Sequence, residues 1–355
     1  MKLALILPSL VNKGPIIVAH TLLTHLVSRL ERADVYYFDE SEGMNFPCPT
    51  HRIRMDQPID FRAYDVIHSH MYRPDKYVHK WRREIREAGV KTVTTIHQNI
   101  YANIKYSHGA VVGWALMQIW LPCMRSFDAA VPISEELYRL YRRRLPNITP
   151  VIYNGVDIRY EPEKAEPVIN ERIQTMKETG GYVIGSYAAI TRRKGLDQLI
   201  RLLAVRPELK LVIIGEGDET VRLKRLAKRL SVQDRILFLP YLRAPYNYLE
   251  YIDIYAMPSR SEGFGLAHVE AAFTRTPVVC SDIPVFHELF DEKDVAFFEL
   301  ENIDSLSSAV DRCIARMEKQ SEHAYATACE KFAGSCMADR YFNLYENLLA
   351  KTSGC

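Results

Sequence analysis

Short, continuously apolar runs alternate along the chain with longer stretches in which apolar positions recur every three or four residues. In the first part the short runs fall at 3–7, 34–38, 66–68, 90–96, 129–133 and 151–152, with a helical pattern over 16–30 between the first two. Uninterrupted Val, Ile and Leu point to strands covered on both faces, as in a parallel sheet. Their alternation with helical stretches predicts βαβ units. After Asn154-Gly155-Val156-Asp157 the pattern breaks. Residues 159–181 are charged, contain Pro162 and Pro167 and end in Gly180-Gly181, which reads as a linker with a short helix. A second series follows, with strands at 182–187, 209–214, 236–239, 252–257, 277–280 and 295–298 and helices over 195–203, 218–230 and 266–273. Over 337–350, Tyr341, Leu344, Tyr345, Leu348 and Leu349 recur at helical spacing.

Length agrees with two series: 355 residues, 48% of them hydrophobic, are too many for one ordinary core. Net charge is +2, but the first 160 residues carry +6 and eight of the 11 histidines. A basic first half suits an anionic partner, or is a solvated surface. Seven cysteines without CxxC spacing give neither a zinc site nor a disulfide framework, and fit a reducing, cytoplasmic setting. The apolar start meets Pro8 too early for a signal peptide. The longest apolar stretch, 110–124, is shorter than the ~20 residues of a membrane span, so a membrane role would be peripheral. The helix expected over 75–88 bears Lys76, Lys80, Arg82, Arg83 and Arg86 beside Tyr77, Trp81 and Ile85. With 138–144 it fits either an anionic membrane surface or inward packing. Trp114, Trp120 and their apolar neighbours are expected in the core, with an acceptor-side surface as the alternative. No base-stacking motif accompanies the basic stretches, so nucleic acid is not an expected partner.

Candidate chemistry is densest over 253–288. A strand ends near Pro258, a loop carries Glu262, Gly263 and Gly265, and a helix starts near Gly265 with Glu270 about one turn in. Ligands of open α/β sheets bind at strand carboxyl ends, where helix N-termini favour phosphate. Two carboxylates there can accept hydrogen bonds from sugar and ribose hydroxyls.

Ser261-Glu-Gly-Phe-Gly-Leu-x-x-x-Glu270-Ala closely resembles the signature of the GT-B retaining glycosyltransferases of glycosyltransferase family four. Further pieces agree in order: Asn154-Gly-Val-Asp157, Lys194-Gly195, Gly215-Glu-Gly217, and Pro277-Val-Val with Glu288. The resemblance implies an α/β GT-B fold of two Rossmann-like domains facing across a cleft. They would span 1–158, the acceptor side, and 159–336, the nucleotide-sugar side, with a helix over about 337–355 crossing back to the first. Glu270 would hold the nucleotide ribose. Glu262, Gly263, Phe264, Gly265 and Leu266 would hold the donor sugar and diphosphate, and Lys194 would pair with the diphosphate. Two departures stand out. Ala189 occupies the family's usual arginine position, leaving Arg192 or Arg193 to supply the second cation, and Arg275 replaces the glycine of the P-V-V turn.

The first strand-to-helix loop, 8–15, has Gly14 but no GxGxxG, which argues against a dinucleotide-dependent dehydrogenase. In the family this loop closes over the donor phosphates. Thr95-Ile-His97 resembles the family's T-x-H, whose histidine faces the donor sugar; the alternative is a structural histidine at a strand end. His68 and His70 also end a strand and resemble a recurrent family pattern, and structural roles are expected of them. The resemblance implies catalysis by His97, Glu262 and Lys194, with donor binding by Gly14, Arg193, Lys194, Gly215 and the 262–270 segment. The chain contains no Asp-x-Asp, so metal-independent transfer is expected, with no cofactor beyond the nucleotide sugar. The expected reaction moves a sugar, with retention, from a nucleoside diphosphate sugar (UDP-sugar favoured) to a lipid-linked or cell-surface glycan, as in lipopolysaccharide biosynthesis. The expected site of action is the cytoplasm or the inner face of its membrane. Two alternatives are an epimerase of the same architecture and a non-catalytic subunit that binds nucleotide sugar or phospholipid.

Overall fold

A computed structural model describes residues 1–40 and 43–351. The chain divides into two units, Met1–Asp157 with Phe332–Cys355, and Ile158–Lys331.

The first unit contains strands β1 (Lys2–Ser9), β2 (Arg32–Asp39), β3 (Thr50–Arg52), β4 (Val66–His70), β5 (Lys91–Ile96) and β6 (Ala129–Pro132). They form a parallel sheet in the order β3-β2-β1-β4-β5-β6. Leu3 to Leu7 have no exposed surface, as expected of a central strand covered on both faces. β3 escapes the apolar pattern because all three of its residues are exposed at the sheet edge. Residues 151–152, expected as a strand, are not one: Ile152 donates a backbone bond to Pro132 without extending the ladder. Helix Gly14–Leu26 follows β1, and helix Gly334–Ala350 packs on it while burying Tyr341 and Tyr345.

The N-G-V-D segment ties this last helix down. Val156 N–H donates to the Phe332 carbonyl (2.8 Å). A Cβ on Gly155 would lie 2.7 Å from Gly334 Cα, so only glycine permits the approach.

The helix expected over 75–88 is two helices, Tyr72–Lys80 and Arg82–Glu87, broken at Trp81. Its apolar residues Tyr77 and Ile85 enter the core, and the basic residues stay outside. The two tryptophans separate. Trp120 is buried and donates its indole N–H to Asp75 (2.6 Å), whereas Trp114, expected in the core, is 57% exposed.

The second unit holds β7 (Tyr182–Tyr187), β8 (Leu209–Ile214), β9 (Ile236–Leu239), β10 (Ile254–Met257), β11 (Val278–Ser281) and β12 (Ala296–Phe298). Their order, β12-β11-β10-β7-β8-β9, is parallel and repeats the winding of the first sheet. In such sheets the order reverses between the first and fourth strands, and loops diverge there to leave a crevice. These switch points are β1/β4 and β7/β10.

Candidate active site

The switch point of the second sheet gathers the expected donor residues. Lys194 ends a short 3-10 turn, Arg192–Lys194, in the loop after β7. Glu262 lies in the loop after β10, ahead of helix Leu266–Phe273. Lys194 Nζ donates to Glu262 Oε1 at 2.7 Å, and Arg193 donates to Oε2 at 2.8 Å. Ser259 Oγ–H adds a third bond to Oε1 at 2.7 Å. Burial alone would push the Glu262 carboxyl upward, but the two cations outweigh it and hold the carboxyl at about 2. The same burial draws Lys194 downward against the pull of Glu262. Two cations against one carboxylate leave this point net positive.

Arg193, not Arg192, is the second cation paired with Glu262, in the loop where Ala189 carries no charge. It also donates to the Ser261 carbonyl (2.6 Å), whereas Arg192 is exposed.

Glycines set the loop geometry. Gly195 has φ of 65°, and a Cβ there would sit 2.0 Å from the Pro258 carbonyl oxygen. The lysine loop is therefore pressed against the end of β10. Gly215 and Gly217 let the turn after β8 pack on the same loop, since Cβ atoms there would meet the Ala188 and Ile190 carbonyls at 2.0 and 2.2 Å. Close packing accounts for Gly215 without a ligand. Gly263 forms a bend, Phe264 is buried, and Gly265 is left-handed (φ 95°), turning the chain into the helix that Leu266 starts. First-turn N–H groups of a helix lack intrahelical partners and make its N-terminus a ready anion site.

Glu270, on that helix, accepts from Tyr187 Oη at 2.9 Å, and Tyr187 also lies 3.1 Å from the Ala267 carbonyl. The one phenolic proton is shared between these two acceptors. Burial raises Glu270 to about 7, with the Tyr187 bond and Lys194 opposing it.

Ser259, Arg260, Tyr187 and Gln198 carry no sequence signal of their own. Arg260 donates to the Arg192 carbonyl (2.5 Å) and to Asp197 (3.1 Å), and Gln198 donates to the Pro258 carbonyl (2.9 Å), so both join the two loops. Ser259 and Arg260 stand beside the signature. Tyr187 could be flagged only as the last residue of β7.

Gly14 and His97 belong to the first unit. Gly14 is the first residue of its helix. His97 follows β5, with Nε2 2.8 Å from His70 Nδ1, and burial draws it down to about 3. His68 is bound by Tyr345 Oη (2.7 Å) and Thr95 Oγ1 (2.8 Å).

Residues 18–160 match the family model described as Glycosyltransferase Family 4, and residues 168–328 match that described as Glycosyl transferases group 1. The chain belongs to glycosyltransferase family four. Among similar members, the O-antigen biosynthesis glycosyltransferase WclY of Escherichia coli is 29% identical over 357 residues, covering 98% of this chain and 99% of that protein. The lipopolysaccharide core biosynthesis mannosyltransferase LpcC of Rhizobium leguminosarum bv. viciae is 33% identical over 181 residues, 48% of this chain and 49% of its own. Anabaena Alr3699/HepE, solved in complex with UDP and glucose, shares the fold with a TM-score of 0.80 at 18% identity over 98% of this chain and 99% of its own. The two doubly wound units are those of the family's GT-B fold, and the enzyme is a glycosyltransferase. Among the described residues no cluster of His, Cys, Asp and Glu has the makings of a metal site.

Arg275, the family's glycine position, keeps the glycine conformation (φ 53°). Its guanidinium lies 3.6 Å over the Tyr325 ring and pairs with Glu322 at 2.7 Å. Contacts to helix Met317–Phe332 thus accompany a backbone that a side chain disfavours.

Proposed function

We propose that this glycosyltransferase transfers a sugar, with retention, from a nucleoside diphosphate sugar to a hydroxyl of a lipid-linked or cell-surface glycan. The carrying observation is the pairing of Lys194 and Arg193 on Glu262 at the β7/β10 switch point, beside the start of helix Leu266–Phe273. As the donor bond breaks, negative charge grows on the leaving diphosphate. Lys194, Arg193 and the helix N–H groups answer that charge without a divalent ion. Glu262, held ionised, accepts from the sugar hydroxyls, and Glu270 accepts from the ribose. Glu262 is occupied by three donors and is not assigned as a nucleophile. The departing phosphate takes the acceptor proton on the same face of the sugar, and His97 orients the sugar.

UDP is the favoured nucleotide, supported by the UDP complex of the Anabaena protein. One relative is named for GDP-mannose, which makes GDP the competing reading. O-antigen and lipopolysaccharide-core names among the relatives support an acceptor of that class. Calorimetric titration with UDP, GDP and ADP in EDTA decides the nucleotide. One of the three should bind, and Lys194→Ala should weaken it by roughly ten- to hundredfold. Binding by none to a folded protein would sink the donor site and favour the non-catalytic alternative. Turnover of donor alone to an epimer would replace transfer by epimerisation.

We place acceptor-side contact with the inner membrane surface on helix Ala110–Arg125. No helix of the described residues is long and apolar enough to cross a membrane. This helix nonetheless exposes Val111, Val112, Trp114 and Ile119, and an apolar depression of about 460 Å³ lies between Tyr101, Val111, Trp114 and Met117. Exposed apolar side chains grouped on one helix mark a docking surface. Sedimentation with phosphatidylglycerol vesicles should bind wild type, and Trp114→Ser with Val111→Ser should cut that binding by about tenfold. Equal binding by both would remove the helix from this role.

A further inference from the structure

At the carboxyl end of β4, His70 is fully buried and its ring makes one hydrogen bond, Nδ1 to His97 Nε2 at 2.8 Å. Its other nitrogen, Nε2, is buried without a partner. The next residue, Met71, has φ of 77°, a conformation that a non-glycine side chain adopts only where its surroundings enforce it. Strain of this kind beside a buried polar group marks a side chain held in place. The His68 ring, itself fixed by Tyr345 and Thr95, packs 4.4 Å from that of His70.

Burial favours the neutral form of both His70 and His97, so the bond between them carries a single hydrogen. There are two arrangements. If His97 Nε2–H donates, the hydrogen of His70 must sit on Nε2, where it is buried without an acceptor. If His70 Nδ1–H donates, what remains unpaired is a lone pair on Nε2. A buried N–H with no acceptor is the rarer and costlier state. The second arrangement therefore holds, and the remaining hydrogen of His97 is on Nδ1.

We infer that His70 is a positioning residue that locks His97 in its Nδ1–H tautomer, so that His97 meets the donor sugar as a hydrogen-bond donor. This rests on the reading that His97 faces the sugar, and it fixes what that histidine can do there. Its Nε2 lone pair is occupied by His70, and Nδ1 offers a hydrogen to a sugar oxygen but cannot take one from the acceptor. That agrees with the proposed loss of the acceptor proton to the departing phosphate.

The test is a long-range 1H–15N spectrum of the full-length protein labelled at histidine, with His97 assigned by loss of its signals in His97→Gln. Wild type should show the Nδ1–H pattern at His97. His70→Leu, which cannot donate, should return it to the Nε2–H form that an unconstrained imidazole prefers. His70→Asn, whose amide can donate from about the Nδ1 position, should restore the wild-type pattern. An Nε2–H pattern in wild type, or one tautomer in wild type and His70→Leu alike, would overturn the inference. The wild-type spectrum is decisive even if His70→Leu fails to fold. Because the readout needs no donor, its failure is separate from that of the nucleotide titration.

Discussion

Glu270 is a residue whose environment changes its chemistry. Its folded-state carboxyl titrates near 7, against an ordinary value of 4.5. Between those pH values the folded protein holds a proton that the unfolded chain releases, so the contribution to stability is full below about 4.5 and is lost as pH rises through 7. Glu270→Gln keeps the shape and removes the titration. Urea unfolding at pH 5 and pH 8 should show the stability difference between variant and wild type moving in the variant's favour by roughly 1–3 kcal/mol. A difference independent of pH would mean that Glu270 is ionised throughout. Glu262 behaves oppositely, because Lys194 and Arg193 face it while Glu270 has only a phenol and a more distant cation.

At the scale of elements, two loops form the proposed donor site, and glycine decides how closely they approach. Gly195→Ala would force Cβ against the Pro258 carbonyl and strain a left-handed backbone. A loss of about 3 kcal/mol or more is expected, together with loss of nucleotide binding. Unchanged thermal stability would show that the loop relaxes freely. Arg275 makes a subtler case, since its backbone is glycine-like while its side chain is anchored on Tyr325 and Glu322. Arg275→Gly should therefore leave the melting temperature nearly unchanged, one effect offsetting the other, whereas Arg275→Val should lower it clearly. The β-branched side chain disfavours this backbone and keeps neither contact. Equal melting temperatures for the two variants would deny the backbone any role.

At the scale of the molecule, two sheets of one winding have separate cores, and the last helix belongs to the first. Tyr345 and Tyr341 are fully buried and reach His68 and Thr95 at 2.7 Å each. Tyr345→Phe removes one buried bond and should cost roughly 1–2 kcal/mol. Deletion of 334–355 removes the whole face and should abolish or sharply lower the melting of the first unit. In differential scanning calorimetry the transition that nucleotide stabilises should survive this deletion. Loss of both transitions together would show that the units do not fold independently.

Much of this was legible in the chain before it folded. Strands of a parallel sheet covered on both faces are continuous apolar runs, a local property, and all six of the second unit are legible within two residues of their ends. The edge strand Thr50–Arg52 left no such record because nothing covers it. The signature segment and its glycines were equally visible, since turns and helix starts restrict residue types locally. What sequence left open depended on partners far along the chain. Arg193 was distinguished from Arg192 only by contacts 68 and 69 residues away. The exposure of Trp114 and burial of Trp120 followed from how one helix is rotated against its neighbours. The pairing of His70 with His97 arose because β4 and β5 lie side by side. Sequence determined the elements and the family because hydrophobic period and turn chemistry are written over a few neighbouring residues. Tertiary structure alone decided protonation, tautomer and charge pairing, because burial and hydrogen-bond partners exist only once distant segments meet.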